Sequence, residues 1–237
     1  MQFRNHLLDA LSPAQQAAIQ HEISLVDLKM REAVARADER LSTIFFPISA
    51  VLSMVALMND GSGVEVATVG YEGVLGVEAL FGAVTSKTEA ICQVPGQAYC
   101  MPRELFDRHL EDRSFRATMG RYADVLFNFM AQSIACNRLH GLQERCARWL
   151  LVMNDRVGAQ EFAMTQELLA TMLGVHRPAV SVAAGILQQA GCIRYHRGHV
   201  TIVDRERLVE SSCECYRAIA EQFQTLRPRL TAVEATA

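Results

Sequence analysis

The chain changes period near Pro102. Before it, apolar residues come in short runs divided by glycine-containing turns; after it, they recur every three or four residues. Strand-length patterns followed by helix-length patterns predict an α+β fold, with a β-rich part ahead of a helical one.

Residues 1–22 read as amphipathic helix, with Ser12 placed to cap a short second helix and Pro13 at its first position, where a missing N–H costs little. Residues 43–47 and 51–57 are β-like runs, and Asn59-Asp60-Gly61 marks a turn. Residues 64–69 alternate, which predicts Val64, Val66 and Val69 on one face. Glycines at 70, 73, 76 and 82 punctuate the next stretch, and 90–94 and 98–101 form two more short strands around Pro95-Gly96. Many short strands with glycine turns predict a barrel or jelly roll.

Beyond Pro102, Met119, Tyr122, Leu126, Phe129, Ser133, Cys136 and His140 form a helical stripe. Ala123, Phe127, Met130 and Ile134 form a second stripe beside it. A helix with two apolar faces needs two partners. The β-rich part supplies one, and the same helix of a second copy is the expected other, with burial inside one monomer as the alternative. A further helix at 142–157 carries the single tryptophan, Trp149.

The most informative stretch is 162–187. Thr165 suits an N-cap, and Leu168, Leu169, Met172 and Leu173 give the first helix an apolar face. Gly174 suits a left-handed helix end. Pro178 fits the first turn of a second helix, whose inner face is Val180, Ala183, Ala184 and Leu187. Two short helices around a tight glycine turn are the DNA-reading unit of many regulators. Residues 193–202 read as a hairpin wing with Arg197, Gly198 and His199 at its tip. Formal net charge is -3, so a nucleic-acid surface must be local. From Leu168 to Val203 there is no Asp or Glu, while His176, Arg177, Arg194, His196, Arg197 and His199 lie inside, a local positive field suited to phosphate.

The beginning of the chain has neither a long apolar core nor a small-residue cleavage site, so it does not read as a signal peptide. The apolar runs fall well short of the roughly 20 residues of a membrane helix, and no membrane partner is expected. Seven scattered cysteines, an odd number, predict reduced thiols in a cytoplasm. No phosphate-binding Gly loop, nucleophile elbow or His-Glu-x-x-His motif is present, so an enzyme is not expected.

Residues 46–53 and Gly70-Tyr71-Glu72-Gly73-Val74-Leu75-Gly76, followed by the pattern of 165–187, resemble the Crp/Fnr family of transcription regulators, relatives of the bacterial cyclic-AMP receptor protein. The resemblance covers nearly the whole chain. It implies a cyclic-nucleotide-binding-like β-roll over 1–115, a dimerisation helix over 116–141 and a winged helix-turn-helix over 142–237. The implied partners are double-stranded DNA with a pseudo-palindromic operator and a second copy of the chain, with room for RNA polymerase.

Carried over by position, Thr165, Gln166, His176 and Ala179 match phosphate-contacting positions, and Arg177 matches a base-reading arginine suited to guanine O6 and N7. Pro178 and Val182 stand where Glu and Arg are common in the family, which implies a different operator. Ser181, one turn along, is a further candidate contact, as are Arg197 and His199 on the wing. In cyclic-nucleotide-binding relatives a Glu binds the ribose and an Arg the phosphate. Here Glu78 stands at about the right place, but 82–88 offers only Lys87, which lacks the planar fork. The expectation is a regulator not controlled by cyclic AMP; the alternative is a cyclic-nucleotide-responsive one using Glu78 and Lys87.

No cofactor or metal is expected. No cysteine precedes Cys92, so the N-terminal ligands of an iron–sulfur sensor are missing, and no histidine pair suggests haem. Cys213 and Cys215 are two apart, which on a helix points the thiols to different faces, unfavourable for one metal or one disulfide.

Overall fold

The computed structural model describes residues 3–226. The ends of the first and last expected domains, 1–2 and 227–237, lie outside the described residues. Helices α1 (His6–Asp9) and α2 (Pro13–Ile19) open the chain. Ser12 caps α2 as the sequence predicts: its hydroxyl accepts from the Gln15 N–H, and the Gln15 side chain accepts from the Ser12 N–H.

Seven strands follow: β1 (Ser24–Leu28), β2 (Ala33–Ala35), β3 (Thr43–Pro47), β4 (Val51–Leu57), β5 (Gly63–Val69), β6 (Glu89–Val94) and β7 (Gly96–Pro102). They form two antiparallel sheets, ordered β1-β7-β3 and β2-β6-β4-β5. Strand β4 is buried on both faces from Val51 to Val55, as a central strand in a roll must be. A short 3-10 helix, Val77–Phe81, leads from β5 back to β6.

One strand departs from expectation. The valines of 64–69 do not share the inner face; Glu65, Ala67 and Val69 are buried, while Val64 and Val66 are half-buried. The cause is parity: with side chains alternating by two, Val69 faces with Glu65 and Ala67, opposite Val64 and Val66. A bulge also falls here, where β4 pairs Met54 with Ala67 and then Val55 with Glu65, leaving Val66 without a partner.

The helical part begins with α3 (Arg103–His109) and the long α4 (Arg113–Leu139), capped by the Asp112 carboxylate on the N–H groups of Ser114 and Phe115. Its first stripe behaves as read. Met119, Tyr122, Leu126, Phe129, Ser133 and Cys136 are buried. The second stripe splits: Ala123 is buried and Met130 half-buried, but Phe127 is 71% and Ile134 72% exposed. Helix α5 (Leu142–Val157) follows, then β8 (Glu161–Ala163), α6 (Gln166–Leu173), α7 (Arg177–Gln189), β9 (Ile193–His196), β10 (His199–Ile202), α8 (Arg205–Glu210) and α9 (Cys215–Gln224). A third small antiparallel sheet has the order β8-β10-β9.

A single hydrophobic core runs through both parts. Trp149 of α5 reaches Glu65 of β5, and buried Arg156 of α5 forms a 2.7 Å ion pair with Glu72. No single helix among the described residues is long and apolar enough to cross a membrane.

The tail corrects the expected placement of its cysteines. Helix α9 starts only at Cys215, so Cys213 sits in the non-helical segment before it. The helical rule for a spacing of two therefore does not apply, and both thiols turn to the same buried pocket.

Candidate nucleic-acid interface

Local chemistry sets the helix pair. The Thr165 hydroxyl accepts from the Leu168 N–H at 3.2 Å, starting α6. Gly174 ends it at φ 63, a left-handed conformation that glycine adopts without strain from a Cβ. The chain bends by 105° between α6 and α7, inside the roughly 90–120° range of helix-turn-helix units. Val180, Ala183, Ala184 and Leu187 are buried, which fixes the rotation of α7 about its axis. The opposite side carries Arg177, Pro178, Ser181, Val182 and Ile186, all exposed.

Arg177 thus stands on the open edge of α7 at its first residue, with Pro178 in the first turn as the sequence predicts and exposed His176 as N-cap. The Ser181 hydroxyl donates 2.6 Å to Oε1 of Gln166, tying the second helix to the start of the first. Ala179 is half-buried at the foot of the same turn.

The wing is held against this edge. β10 pairs with β9 on one side and with β8, just ahead of Thr165, on the other. The Met164 N–H donates to the Gly198 carbonyl at 2.7 Å, and the Tyr195 hydroxyl donates to the Met164 carbonyl. At the tip, Arg197 has φ 46 and Gly198 φ 79, the two positive values of a tight two-residue hairpin turn. Arg197 and His199 are exposed there, and Gly198 lies beside Thr165.

Thr165, Gln166, Ser181 and the wing tip therefore form one contiguous patch, with Arg177 on the open side of the helix that carries Ser181. Val182, 65% exposed, was read in the sequence only as standing at an operator-determining position, and Ile186 was not singled out at all. Their signal was present: both fall outside the buried stripe of α7, where a soluble helix ordinarily carries polar residues. Exposed apolar side chains beside an arginine suit the thymine methyl in a major groove. Arg194 and His196 extend the positive patch along β9.

The two candidate effector residues have separate partners. Glu78 accepts a 3.2 Å hydrogen bond from Ser86. Lys87 is paired with Asp38 at 2.6 Å on the surface, both side chains being more than three-quarters exposed.

A family profile describing the Crp-like helix-turn-helix domain matches residues 144–211. Comparison with curated protein sequences yields no match. Among solved structures, the chain is similar to FixK2 from Bradyrhizobium japonicum, with TM-score 0.70 at 17% identity, covering 81% of this chain and 98% of that one. It is also similar to a crp/fnr-family putative transcriptional regulator from Eubacterium rectale, with TM-score 0.68 at 19% identity, covering 89% and 97%. A CRP/FNR-family transcriptional regulator from Thermus thermophilus gives TM-score 0.66 at 19% identity, covering 80% and 100%. The chain carries a Crp-like helix-turn-helix domain on the fold of the Crp/Fnr transcription regulators and has their DNA-binding architecture.

Proposed function

We propose that the chain is a homodimeric, sequence-specific transcription regulator that reads DNA with the open edge of α7 and is not an enzyme. The observation that carries the reading is the exposed edge led by Arg177, set in a patch free of acidic side chains from Leu168 to Val203. Arg177 reads a guanine; Thr165, Gln166, His176 and Ala179 hold phosphates; Ser181 and Pro178 border the base edges; Arg197 and His199 on the wing reach the neighbouring backbone.

The dimer is supported by α4. Phe127, Ala131 and Ile134 are exposed and follow one another at spacings of four and three, the seam of a paired helix. In this reading residues 1–115 are the sensor part, 116–141 the dimer helix and 142–237 the DNA-binding part. A two-fold axis then requires a pseudo-palindromic operator. The regulator acts in the cytoplasm, with RNA polymerase as a further partner at promoters. Control by cyclic AMP is not favoured, because Glu78 and Lys87 are engaged with Ser86 and Asp38.

Selection of duplexes from a random pool by the full chain tests this. The expected result is enrichment of an inverted repeat with half-site centres about one helical turn apart. Enrichment of no duplex sequence would overturn it. Calorimetry with cyclic AMP should give no micromolar binding; a saturable heat at that concentration would restore cyclic-nucleotide control.

A further inference from the structure

Outside the DNA-reading patch, four metal-ligating side chains converge where the long helix meets the tail. Cys136 lies in the last turn of α4 and His140 is its extended C-cap, four residues on. Cys213 and Cys215 come from the segment that opens α9. The three sulfurs are buried and form a small cluster separate from the main core. The three thiol sulfurs and an imidazole nitrogen all lie within 4.8 Å of one another. Cys136 Sγ is 3.5 Å from Cys213 Sγ, and Cys215 Sγ is 3.5 Å from Nδ1 of His140.

These spacings match a tetrahedral metal. Bond lengths of about 2.3 Å to sulfur and 2.0–2.1 Å to nitrogen imply ligand–ligand edges of about 3.8 Å for S···S and about 3.6 Å for S···N. A multi-iron cluster, whose sulfurs bind separate irons, needs a wider cage. The surroundings are those of a metal site as well. Nε2 of His140 is 3.2 Å from the Glu214 carboxylate, which holds the proton on that nitrogen and leaves Nδ1 facing the sulfurs. Gln132 Nε2 donates to Cys215 Sγ at 3.0 Å. The charge of buried Arg148 acts on the Cys136 sulfur, offsetting the negative charge that three thiolates bring.

We propose that Cys136, His140, Cys213 and Cys215 bind one Zn2+-class cation that clamps α4 to α9. Thiolate and imidazole donors in a closed, buried tetrahedron select a structural zinc site over Mg2+ or Ca2+, which require oxygen ligands. Binding releases the thiol protons to solvent and oxidises nothing. Because α9 also packs on α5, the cation fixes the tail of the helical part against the long helix.

The test uses the full chain, freed of metal with a chelator under reducing conditions and titrated with Co2+ alone. The expected spectrum has thiolate-to-cobalt charge-transfer bands and the strong d–d bands of a tetrahedral ion. It saturates at one equivalent and is displaced by Zn2+. C136S and C215S abolish these bands, whereas C192S, which alters a thiol elsewhere, keeps them. E214Q weakens Zn2+ binding roughly 10-fold. The titration of the unaltered chain stands even if a variant fails to fold. Absence of tetrahedral bands in the unaltered chain overturns the proposal, as does their survival in C136S and C215S. A Cys136–Cys213 disulfide that, once reduced, still gives no Co2+ signal overturns it too. Each readout is independent of DNA binding.

Discussion

The indole Nε1 of Trp149 in α5 donates a 2.8 Å hydrogen bond to Oε1 of Glu65 in β5, across 84 positions of sequence. Both groups are buried, so the bond joins the β-roll to the helical part where water cannot substitute for it. Thr68 donates to the same carboxyl oxygen. The other oxygen lies 2.5 Å from the Ser53 hydroxyl, which also contacts Gln93 Oε1.

Trp149→Phe removes that donor and keeps an aromatic ring in the core. It should destabilise the protein by about 1–3 kcal/mol, the range for a buried acceptor left short of a partner. Urea denaturation followed by circular dichroism measures this, and an unchanged midpoint would deny the bond its structural weight.

The same network predicts a pH dependence. Burial pushes the Glu65 carboxyl above its ordinary value of 4.5, with the hydrogen bonds opposing the shift. Over the window from that ordinary value up to the raised one, the folded state holds a proton that the unfolded state has lost. Stability must therefore fall as pH rises through that window. Glu65→Gln stays neutral at every pH and should flatten this part of the stability profile. Parallel profiles for the two proteins, from denaturation midpoints across the window, would contradict it.

Arg156 and Glu72 form the second tie, a 2.7 Å ion pair with both side chains nearly buried. The Arg156 guanidinium also lies over the rings of Phe129 and Phe223. Arg156→Met strands the carboxylate and should cost about 3–5 kcal/mol. The double variant with Glu72→Gln should recover part of that loss, read as a coupling energy from the four unfolding free energies.

The exposed α4 seam makes a separate prediction. Ile134→Glu puts a charge opposite its own copy in the proposed dimer. Sedimentation velocity should show the unaltered chain as a dimer and the variant as a folded monomer. A monomeric unaltered chain would remove the dimer.

Much of this was legible from residue chemistry. Ser12 and Pro13, Thr165, Gly174 and the inner face of α7 are local signals, set by capping, turn conformation and period, and each stands where it was read. The face of 64–69 was misjudged because Val69 has the opposite parity to Val64 and Val66, so a period of two never puts the three on one face. The other failures were inferences that needed pairing or path. The burial of Glu65 depends on Trp149, far away in sequence. Strands β1 and β2 gave little signal because their residues are mostly exposed or half-buried. The convergence of Cys213 and Cys215 with Cys136 and His140 was hidden because the start of α9 decides where the thiols point. Within the candidate interface, the sequence located helix α7 and the β9–β10 hairpin. It did not show that Ser181 is tied to Gln166, or that Val182 and Ile186 are open.

For the DNA face itself, Arg177→Ala should weaken binding to the selected operator by about 1–3 kcal/mol and relax the preference at one base pair per half-site. Fluorescence anisotropy against the operator and its single-base variants gives both. An unchanged profile would take Arg177 out of the reading role.

The most direct test of a two-fold regulator reading one face of DNA is affinity as a function of half-site spacing. Two copies of α7 joined through α4 require half-sites about 10 base pairs apart, so inserting about five, half a helical turn, should abolish specific binding. Affinity that does not change with the insertion would contradict the paired, single-face reading.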